Sequence, residues 1–187
     1  LLGGCTVLSE ITIPDGVTAI GDSAFQKCAS LTEIVLPQGL KRIDGYVFLG
    51  CTGLSYIDIP DGLETAGNWI ADDSVQLRCS IGSSAAIALS RSDNGFCVDG
   101  FRLCYGFDDD GNTNGLTVKR YVGSETEVTV PDGVDSIGDS AFYGCKGLTK
   151  LALPQGLKEI GGNAFLGCEG LSYMDIPDGV ETVGDWI

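Results

Sequence analysis

The apolar residues of the chain follow a short pattern that recurs at intervals of about 23 residues. The alternation Ile34-x-Leu36 has a period of two, which is typical of a short strand with one apolar face. A Pro-x-Gly turn follows, because proline presets the first turn angle and glycine tolerates the second. The apolar positions after the turn have roughly helical spacing and predict a short helical or 3₁₀ segment. One copy places its apolar side chains at Leu31, Ile34, Leu36, Leu40, Ile43 and Phe48.

The prolines mark the ends of the predicted strands, because proline cannot donate a hydrogen bond to a sheet. One copy of the pattern cannot bury its own apolar face, whereas stacked copies can. The repeat is also long enough to supply the crossover that parallel neighbouring strands need. The pattern therefore predicts an α/β solenoid with about 23 residues per coil, short parallel strands, and short helical or 3₁₀ segments opposite the sheet. The prolines are Pro14, Pro37, Pro60, Pro131, Pro154 and Pro177.

Cysteine recurs at one position of the pattern. The opening LLGGC resembles a bacterial lipobox, but VFLGC and AFLGC recur later, and neither the basic region nor the longer apolar run of a signal peptide precedes it. We therefore expect Cys5 to be a repeat cysteine inside the first coil. The repeat cysteines should stack as reduced thiols, because in-register Cβ atoms about 4.8 Å apart exceed the ~3.8 Å of a disulfide. They are Cys5, Cys28, Cys51, Cys145 and Cys168, and the state of Cys79, Cys97 and Cys104 is open.

A longer period relates two blocks of the chain. Residues 11–70 match residues 128–187 at an offset of 117, with GLSYIDIPDGLETAGNWI facing GLSYMDIPDGVETVGDWI. We interpret residues 1–187 as one continuous solenoid. It comprises a first repeat block at 1–70, an irregular coil with a β-hairpin insertion at 71–127, and a second block at 128–187. We also expect the chain to be a fragment of a longer array.

The middle stretch breaks the period but still predicts regular elements. Val75, Leu77 and Cys79 alternate as in a strand, and Ser83 or Ser84 is a suitable N-cap for the short helix that follows. Asp99-Gly100 between apolar-rich runs is a strong hairpin signal. The segment GLTVKRYVG predicts a further strand.

The repeats LTEIVLPQGLKRIDGYVFLGC and LTKLALPQGLKEIGGNAFLGC resemble the BspA-like, or treponemal-type, leucine-rich repeat. The resemblance covers 1–70 and 128–187 closely and the middle stretch loosely. It implies a bacterial cell-surface or secreted protein involved in adhesion to host or matrix proteins or to other cells. Extracellular localisation rests on this resemblance.

Composition narrows the partners. Eleven Lys and Arg against 26 Asp and Glu give a net charge of −15, which a nucleic acid backbone or an anionic membrane would repel. No run of about eighteen apolar residues is present, so we expect no membrane insertion. The expected partner is a protein or glycan.

The sequence favours no catalytic residue and no cofactor. It contains no histidine, which excludes Ser-His-Asp and Cys-His catalysis and the common zinc sites. Most acids of the repeat blocks occupy turn positions, which indicates a structural role. A carboxylate pair for hydrolysis stays formally open, but no unique constellation is visible. The acids of the Pro-Asp-Gly turns are Asp15, Asp61, Asp132 and Asp178.

The segment DDDGNTNGL partly matches a calcium loop. Asp110, Asn112 and Asn114 alternate, and a carbonyl follows at Leu116, as in the front half of an EF-hand. Tyr121 stands where that loop needs a bidentate Glu, so calcium is not favoured. The alternative is a polar hairpin tip with Asn114-Gly115 as the turn.

Two functions remain, a binding module and a rigid spacer that presents another domain. Inward-facing Ile57 and Ile59 imply that Tyr56 and Asp58 point outward, and Tyr173 and Asp175 repeat this arrangement in the second block. Exposed tyrosines favour a binding surface. We therefore predict that these four residues contact the ligand, with both tyrosines on one face of one parallel sheet.

Overall fold

The structure is a computed structural model that describes residues 2–92, 94–107 and 109–186. Asp108, the first residue of the candidate calcium segment, lies outside the described residues. The chain divides into two compact units, Leu1–Val98 and Asp99–Ile187. We call them unit 1 and unit 2. The assignment of residues 1–187 to one continuous array stays a prediction.

Unit 1 consists of coils that carry two short strands each, followed by a helix. Its elements are β1 Glu10–Thr12, β2 Ala19–Ile20, β3 Glu33–Val35, β4 Arg42–Ile43, β5 Tyr56–Asp58, β6 Thr65–Ala66, β7 Gln76–Arg78, α1 Ser84–Arg91 and β8 Phe96–Val98.

The strands of unit 1 pair in parallel with the same strand of the next coil. β1 pairs with β3, so that Ile11 lies opposite Ile34, its equivalent one repeat later, and β2, β4 and β6 form a second parallel sheet. β5 pairs with β7, and β7 with β8. β3 and β5 follow each other in the solenoid but belong to different sheets. The first strand column of unit 1 is therefore interrupted between β3 and β5.

Unit 2 opens with a hairpin and continues as a solenoid. Its elements are β9 Phe101–Phe107, β10 Thr113–Tyr121, β11 Glu127–Thr129, β12 Ser136–Ile137, β13 Lys150–Ala152, β14 Glu159–Ile160, β15 Tyr173–Met174 and β16 Thr182–Val183.

Two columns of parallel strands run through unit 2. β11, β13 and β15 form one sheet. β10 pairs antiparallel with β9 and parallel with β12, which continues the second column through β14 and β16. Asp99 and Gly100, between β8 and β9, have φ angles of 47° and 80°, as a two-residue primed turn requires. The predicted solenoid with an antiparallel hairpin region is confirmed.

The core of each unit contains the predicted apolar residues. Phe25 and Phe48 stack in unit 1 with ring centroids 5.6 Å apart, and Phe142 and Phe165 lie 5.5 Å apart in unit 2. Leu31, Leu40, Ile43 and Phe48 are fully buried. The sequence pattern therefore identified the inner face of the repeat correctly.

The second half of each coil differs from the predicted helical or 3₁₀ segment. A two-residue strand such as β2 or β4 follows the Pro-x-Gly turn, and successive turns come next. One residue of this turn region has a left-handed backbone, which ends a right-handed helix. The N–H groups beside it bond the next coil instead, as when Phe25 N–H donates to the Val47 carbonyl at 3.0 Å. We call this position the left-handed slot. It holds Ser23, Tyr46, Trp69, Ser140, Asn163 and Trp186, with φ between 55° and 58°.

Helix α1 replaces the regular coil at the end of unit 1. Ser83 is its N-cap, and the Ser83 side chain accepts a hydrogen bond from Ala86 N–H, as predicted. The buried side chain of Asn94 then occupies the place that the backbone of a further regular coil would have. Its Oδ1 accepts from Ile70 N–H at 3.0 Å, and its Nδ2 donates to the Gly67 carbonyl at 2.8 Å. One amide side chain thus extends the ladder of the last regular coil.

Candidate functional site

The exposed side of β5 carries the first two predicted site residues. Ile57 is buried between Tyr56 and Asp58, because successive strand residues point to opposite faces. The side chains of Tyr56 and Asp58 are exposed, and Tyr56 keeps 48% of its surface accessible. The predicted outward orientation is confirmed.

Arg78 joins these two residues and was not among the predicted site residues. It lies on β7 directly opposite Asp58. Its guanidinium carbon lies 3.5 Å from the centroid of the Tyr56 ring, and its Nη2 and Nε contact Asp58 Oδ1 at 2.6 and 2.7 Å. The ion pair and the cation–π contact together hold the tyrosine ring in one orientation. The predicted strand at Val75 and Leu77 already implied that Arg78 points outward, and this was the available signal.

A cleft opens beside this cluster where the first strand column is interrupted. Its volume is about 270 Å³. β3 and β5 belong to different sheets, so no ladder of hydrogen bonds joins them here. The cleft lies at this interruption and is lined by both apolar and polar residues. The lining residues are Thr32, Glu33, Ile34, Val35, Leu36, Gln38, Tyr56 and Asp58.

The face next to the cleft carries an uncompensated pair of acids. Glu10 and Glu33 lie directly opposite each other on β1 and β3. Like charges in this arrangement repel each other across the strand pair. The equivalent pair in unit 2 is Glu127 and Lys150, which form an ion pair at 3.6 Å. Unit 1 therefore presents negative charge where unit 2 is balanced.

Tyr173 and Asp175 are exposed in unit 2, and Tyr173 keeps 71% of its surface accessible. Tyr173 lies on β15, which pairs with β13 in a continuous ladder. The expectation that Tyr56 and Tyr173 share one parallel sheet is wrong, because they belong to different sheets. The hairpin strand β10 pairs with β12 and therefore belongs to the second strand column. The column that contains Tyr173 starts at β11.

The repeat cysteines form the expected column of thiols, with unequal burial. Cys28 and Cys51 are fully buried, while Cys5, Cys145 and Cys168 are partly exposed. The expectation that Cys5 lies inside its coil is therefore only partly met. Residues 2–4 do follow the repeat, because Leu2 N–H and Gly4 N–H donate to the carbonyls of Ala24 and Gln26.

A backbone carbonyl of the preceding coil accepts a hydrogen bond from each of the thiols Cys28, Cys51 and Cys168. Cys51 Sγ lies 3.1 Å from the Phe25 carbonyl oxygen, and Cys168 Sγ lies 3.1 Å from that of Phe142. Burial raises the pKa of Cys51 to about 11 and that of Cys79 to about 12. These thiols fill space in the coil and are poor nucleophiles, because the thiolate is the reactive form.

Alkylation should distinguish the buried thiol of Cys51 from the partly exposed thiol of Cys5. In the native protein at about pH 8.5, we expect iodoacetamide to label Cys5 well before Cys51, because Cys51 is shielded and protonated. Peptide mass spectrometry measures the order of labelling, and the urea-unfolded protein is the control. Equal labelling of both residues in the native protein would contradict the stacked-thiol arrangement. The same spectra test the prediction that Cys5 carries no lipid.

The candidate calcium residues do not converge in one loop. Asn114 and Leu116 lie within β10, and Asn114 sits at a register shift opposite β9. The Leu116 carbonyl accepts a hydrogen bond from Asp135 N–H at 2.8 Å, so the neighbouring coil already uses this ligand. Asp110 and Asn112 precede the strand. The expectation that Asn114-Gly115 forms the turn is wrong, because both residues lie within β10.

Asp61, one of the Pro-Asp-Gly acids, bonds to a residue of the next coil. Asp61 accepts hydrogen bonds from Ser80 N–H at 2.9 Å and from the Ser80 hydroxyl at 2.7 Å. Both bonds favour the charged form and hold the pKa of Asp61 below its usual value.

Within the described residues, no helix has the length and apolar character needed to cross a membrane.

Comparison with solved structures finds leucine-rich repeat proteins. A leucine-rich repeat protein from Bacteroides ovatus is 20% identical with a TM-score of 0.50, over 94% of this chain and 57% of the other, and shares the fold. A leucine rich cell surface protein from Faecalibacterium prausnitzii is 22% identical with a TM-score of 0.45, over 97% of this chain and 51% of the other. The leucine-rich repeat protein of T. pallidum is 26% identical with a TM-score of 0.39, over 91% of this chain and 68% of the other.

The chain spans a little over half the length of the first two of these proteins. No curated protein matches it. The family described as BspA type leucine rich repeat region matches residues 2–85 and 120–187 in six copies. Together with the pairing of each strand with its equivalent one repeat later, this match shows that the chain belongs to the BspA-type leucine-rich repeat family.

Proposed function

We propose that the chain is a non-catalytic binding and adhesion module of a bacterial cell-surface or secreted protein. The observation that carries this proposal is the cleft between β3 and β5 with the Tyr56–Asp58–Arg78 cluster on its rim. Solenoids of stacked coils use their extended surfaces for binding. Membership of the BspA-type family supports the surface location.

The geometry of the cluster suits a contact surface. An ordered tyrosine ring costs little conformational entropy when a partner docks, because Arg78 already holds it. Tyrosine and arginine are also the residues that most often dominate binding energy at interfaces. A strand with a purely structural role would gain no stability from an interruption of its hydrogen-bonded ladder.

The charge of this face favours a basic partner. Glu10 and Glu33 have no ion-pair partner among the described residues, whereas Lys150 pairs with Glu127 at the equivalent place in unit 2. A lysine or arginine from a partner protein would remove the repulsion between the two glutamates. We therefore propose a protein ligand that presents a basic segment to the cleft of unit 1.

Reversing the charge of Glu33 tests this proposal. Glu33→Lys copies the Lys150 arrangement, so the variant should fold normally. We expect the affinity for a basic partner to fall at least about tenfold, because a close attraction becomes a repulsion. Surface plasmon resonance against a panel of purified basic and acidic extracellular proteins measures this change. Tyr56→Ala should weaken the same complexes, with the melting temperature nearly unchanged.

Two further variants serve as controls. Glu169→Lys changes the net charge equally at an exposed position of unit 2 and should leave binding intact. Tyr173→Ala tests the proposed role of the second tyrosine, and we expect a smaller effect because its ladder is continuous. If no basic protein binds, or if Glu33→Lys and Tyr56→Ala bind like wild type, the spacer function becomes the better explanation.

A further inference from the structure

Two aromatic side chains occupy the left-handed slot in successive coils of unit 1. Tyr46 and Trp69 have φ angles of 58° and 55°, and they keep 45% and 61% of their surfaces accessible. Tyr46 N–H donates to the Asn68 carbonyl at 3.3 Å, so the two coils are in register here. Neither ring stacks on another aromatic ring among the described residues. Both side chains are therefore partly accessible to a ligand.

The repeat itself does not need an aromatic residue in this slot. Serine or asparagine fills it elsewhere, at Ser23, Ser140 and Asn163. Asparagine is among the residues that tolerate a left-handed backbone best, whereas bulky residues are strained there. The chain nevertheless places its two tryptophans, Trp69 and Trp186, in this slot. A strained and exposed aromatic residue indicates a function outside folding.

A row of polar groups runs beside the two rings. The residues that directly precede the slot in three successive coils are Asp22, Gly45 and Asn68. Asp22 Oδ1 accepts a hydrogen bond from Gly45 N–H at 2.8 Å, which holds the carboxylate next to Tyr46. Asn68 is exposed beside Trp69. The residues next to the two aromatic positions thus supply a carboxylate and an amide, which can bind hydroxyl groups.

The charge and shape of this surface restrict the ligand. Arg42 lies in the same coil, but its guanidinium contacts Asp44 at 3.4 Å. With a net charge of −15, the chain repels acidic ligands. Both side chains are exposed to solvent. Flat exposed rings beside hydrogen-bonding groups suit a sugar, which has a C–H face and a rim of hydroxyls.

We propose that Tyr46 and Trp69, flanked by Asp22 and Asn68, form a platform that binds an uncharged oligosaccharide. Each ring stacks on the C–H face of one sugar unit, and the carboxylate and the amide bind its hydroxyl groups. The two residues belong to successive coils, which are joined here by the hydrogen bond from Tyr46 N–H to the Asn68 carbonyl. Neighbouring units of one oligosaccharide can therefore contact one ring each. The site is separate from the cleft and goes beyond the protein-binding function proposed above.

Asparagine substitutions test the platform without disturbing the fold, because Asn163 already occupies the same slot. The probes are chitohexaose, cellohexaose and maltohexaose, with a heparin hexasaccharide as the anionic control. We expect calorimetry to show binding of at least one neutral probe and none of heparin. Trp69→Asn and Tyr46→Asn should each weaken that binding about tenfold or more. Both variants should melt at or above the wild-type temperature, because the backbone strain is relieved.

Trp186 provides a matched control. It occupies the slot in unit 2 and is 79% exposed, but its neighbour one coil before is Asn163. Trp186→Asn should leave the affinity within about twofold of wild type. The proposal is overturned if no neutral probe binds, if Trp69→Asn binds like wild type, or if the asparagine variants melt lower. Glu33→Lys should not change sugar binding, so a failure here is distinct from a failure of the cleft.

Discussion

Replacing Phe48 with alanine is expected to lower the free energy of unfolding by roughly 3–5 kcal/mol. Phe48 is fully buried and lies parallel to Phe25, with ring centroids 5.6 Å apart. The substitution removes a large apolar surface and leaves a cavity, because the backbone ladders of adjacent coils hold the walls in place. Urea unfolding followed by circular dichroism measures the change.

The matched control for Phe48 is an exposed apolar residue of the same unit. Val35 keeps 48% of its surface accessible, so Val35→Ala should change the unfolding free energy by about 0.5 kcal/mol or less. A loss below about 1 kcal/mol for Phe48→Ala would mean that the ring column does not hold adjacent coils together.

Replacing Asn94 with alanine should lower the free energy of unfolding by roughly 2–4 kcal/mol. The variant leaves the Ile70 N–H and the Gly67 carbonyl without the partner that the amide supplies. It also removes the bond from Asn94 Nδ2 to the Ser92 hydroxyl at 2.7 Å. A buried donor or acceptor that loses its partner costs its desolvation free energy.

The measurement for Asn94 is the same urea titration, with Asn68→Ala as the control. Asn68 is exposed, so its truncation should change the unfolding free energy by about 0.5 kcal/mol or less. Equal effects of the two substitutions would show that the amide of Asn94 does not stabilise the last regular coil.

The repeat made much of the fold predictable. The spacing of Ile34, Leu36 and Phe48 indicated one inward face, and the structure buries all three. Cysteine at the same position of successive repeats predicted the column of stacked thiols. These features depend on local alternation and on the need to bury an apolar face, and both can be read from a sequence.

The turn region was predicted less well. Its apolar spacing resembles that of a helix, but the left-handed residue and the bonds to the next coil replace helical hydrogen bonds. Serine, asparagine, tyrosine and tryptophan all occupy the slot, so no residue type signals it. Contacts between coils decide this backbone conformation, and they are invisible in a single repeat.

The candidate sites divide in the same way. The sequence by itself determined that Tyr56 and Asp58 face outward, because strand residues alternate between the two faces. Only the tertiary structure decided that Arg78 clamps them, that the ladder is interrupted between β3 and β5, and that Asn94 replaces a backbone partner. The reason is physical. Periodicity specifies the direction in which a side chain points within its own coil. The partners of that side chain come from neighbouring coils. Where the period is broken, packing sets the register between those coils.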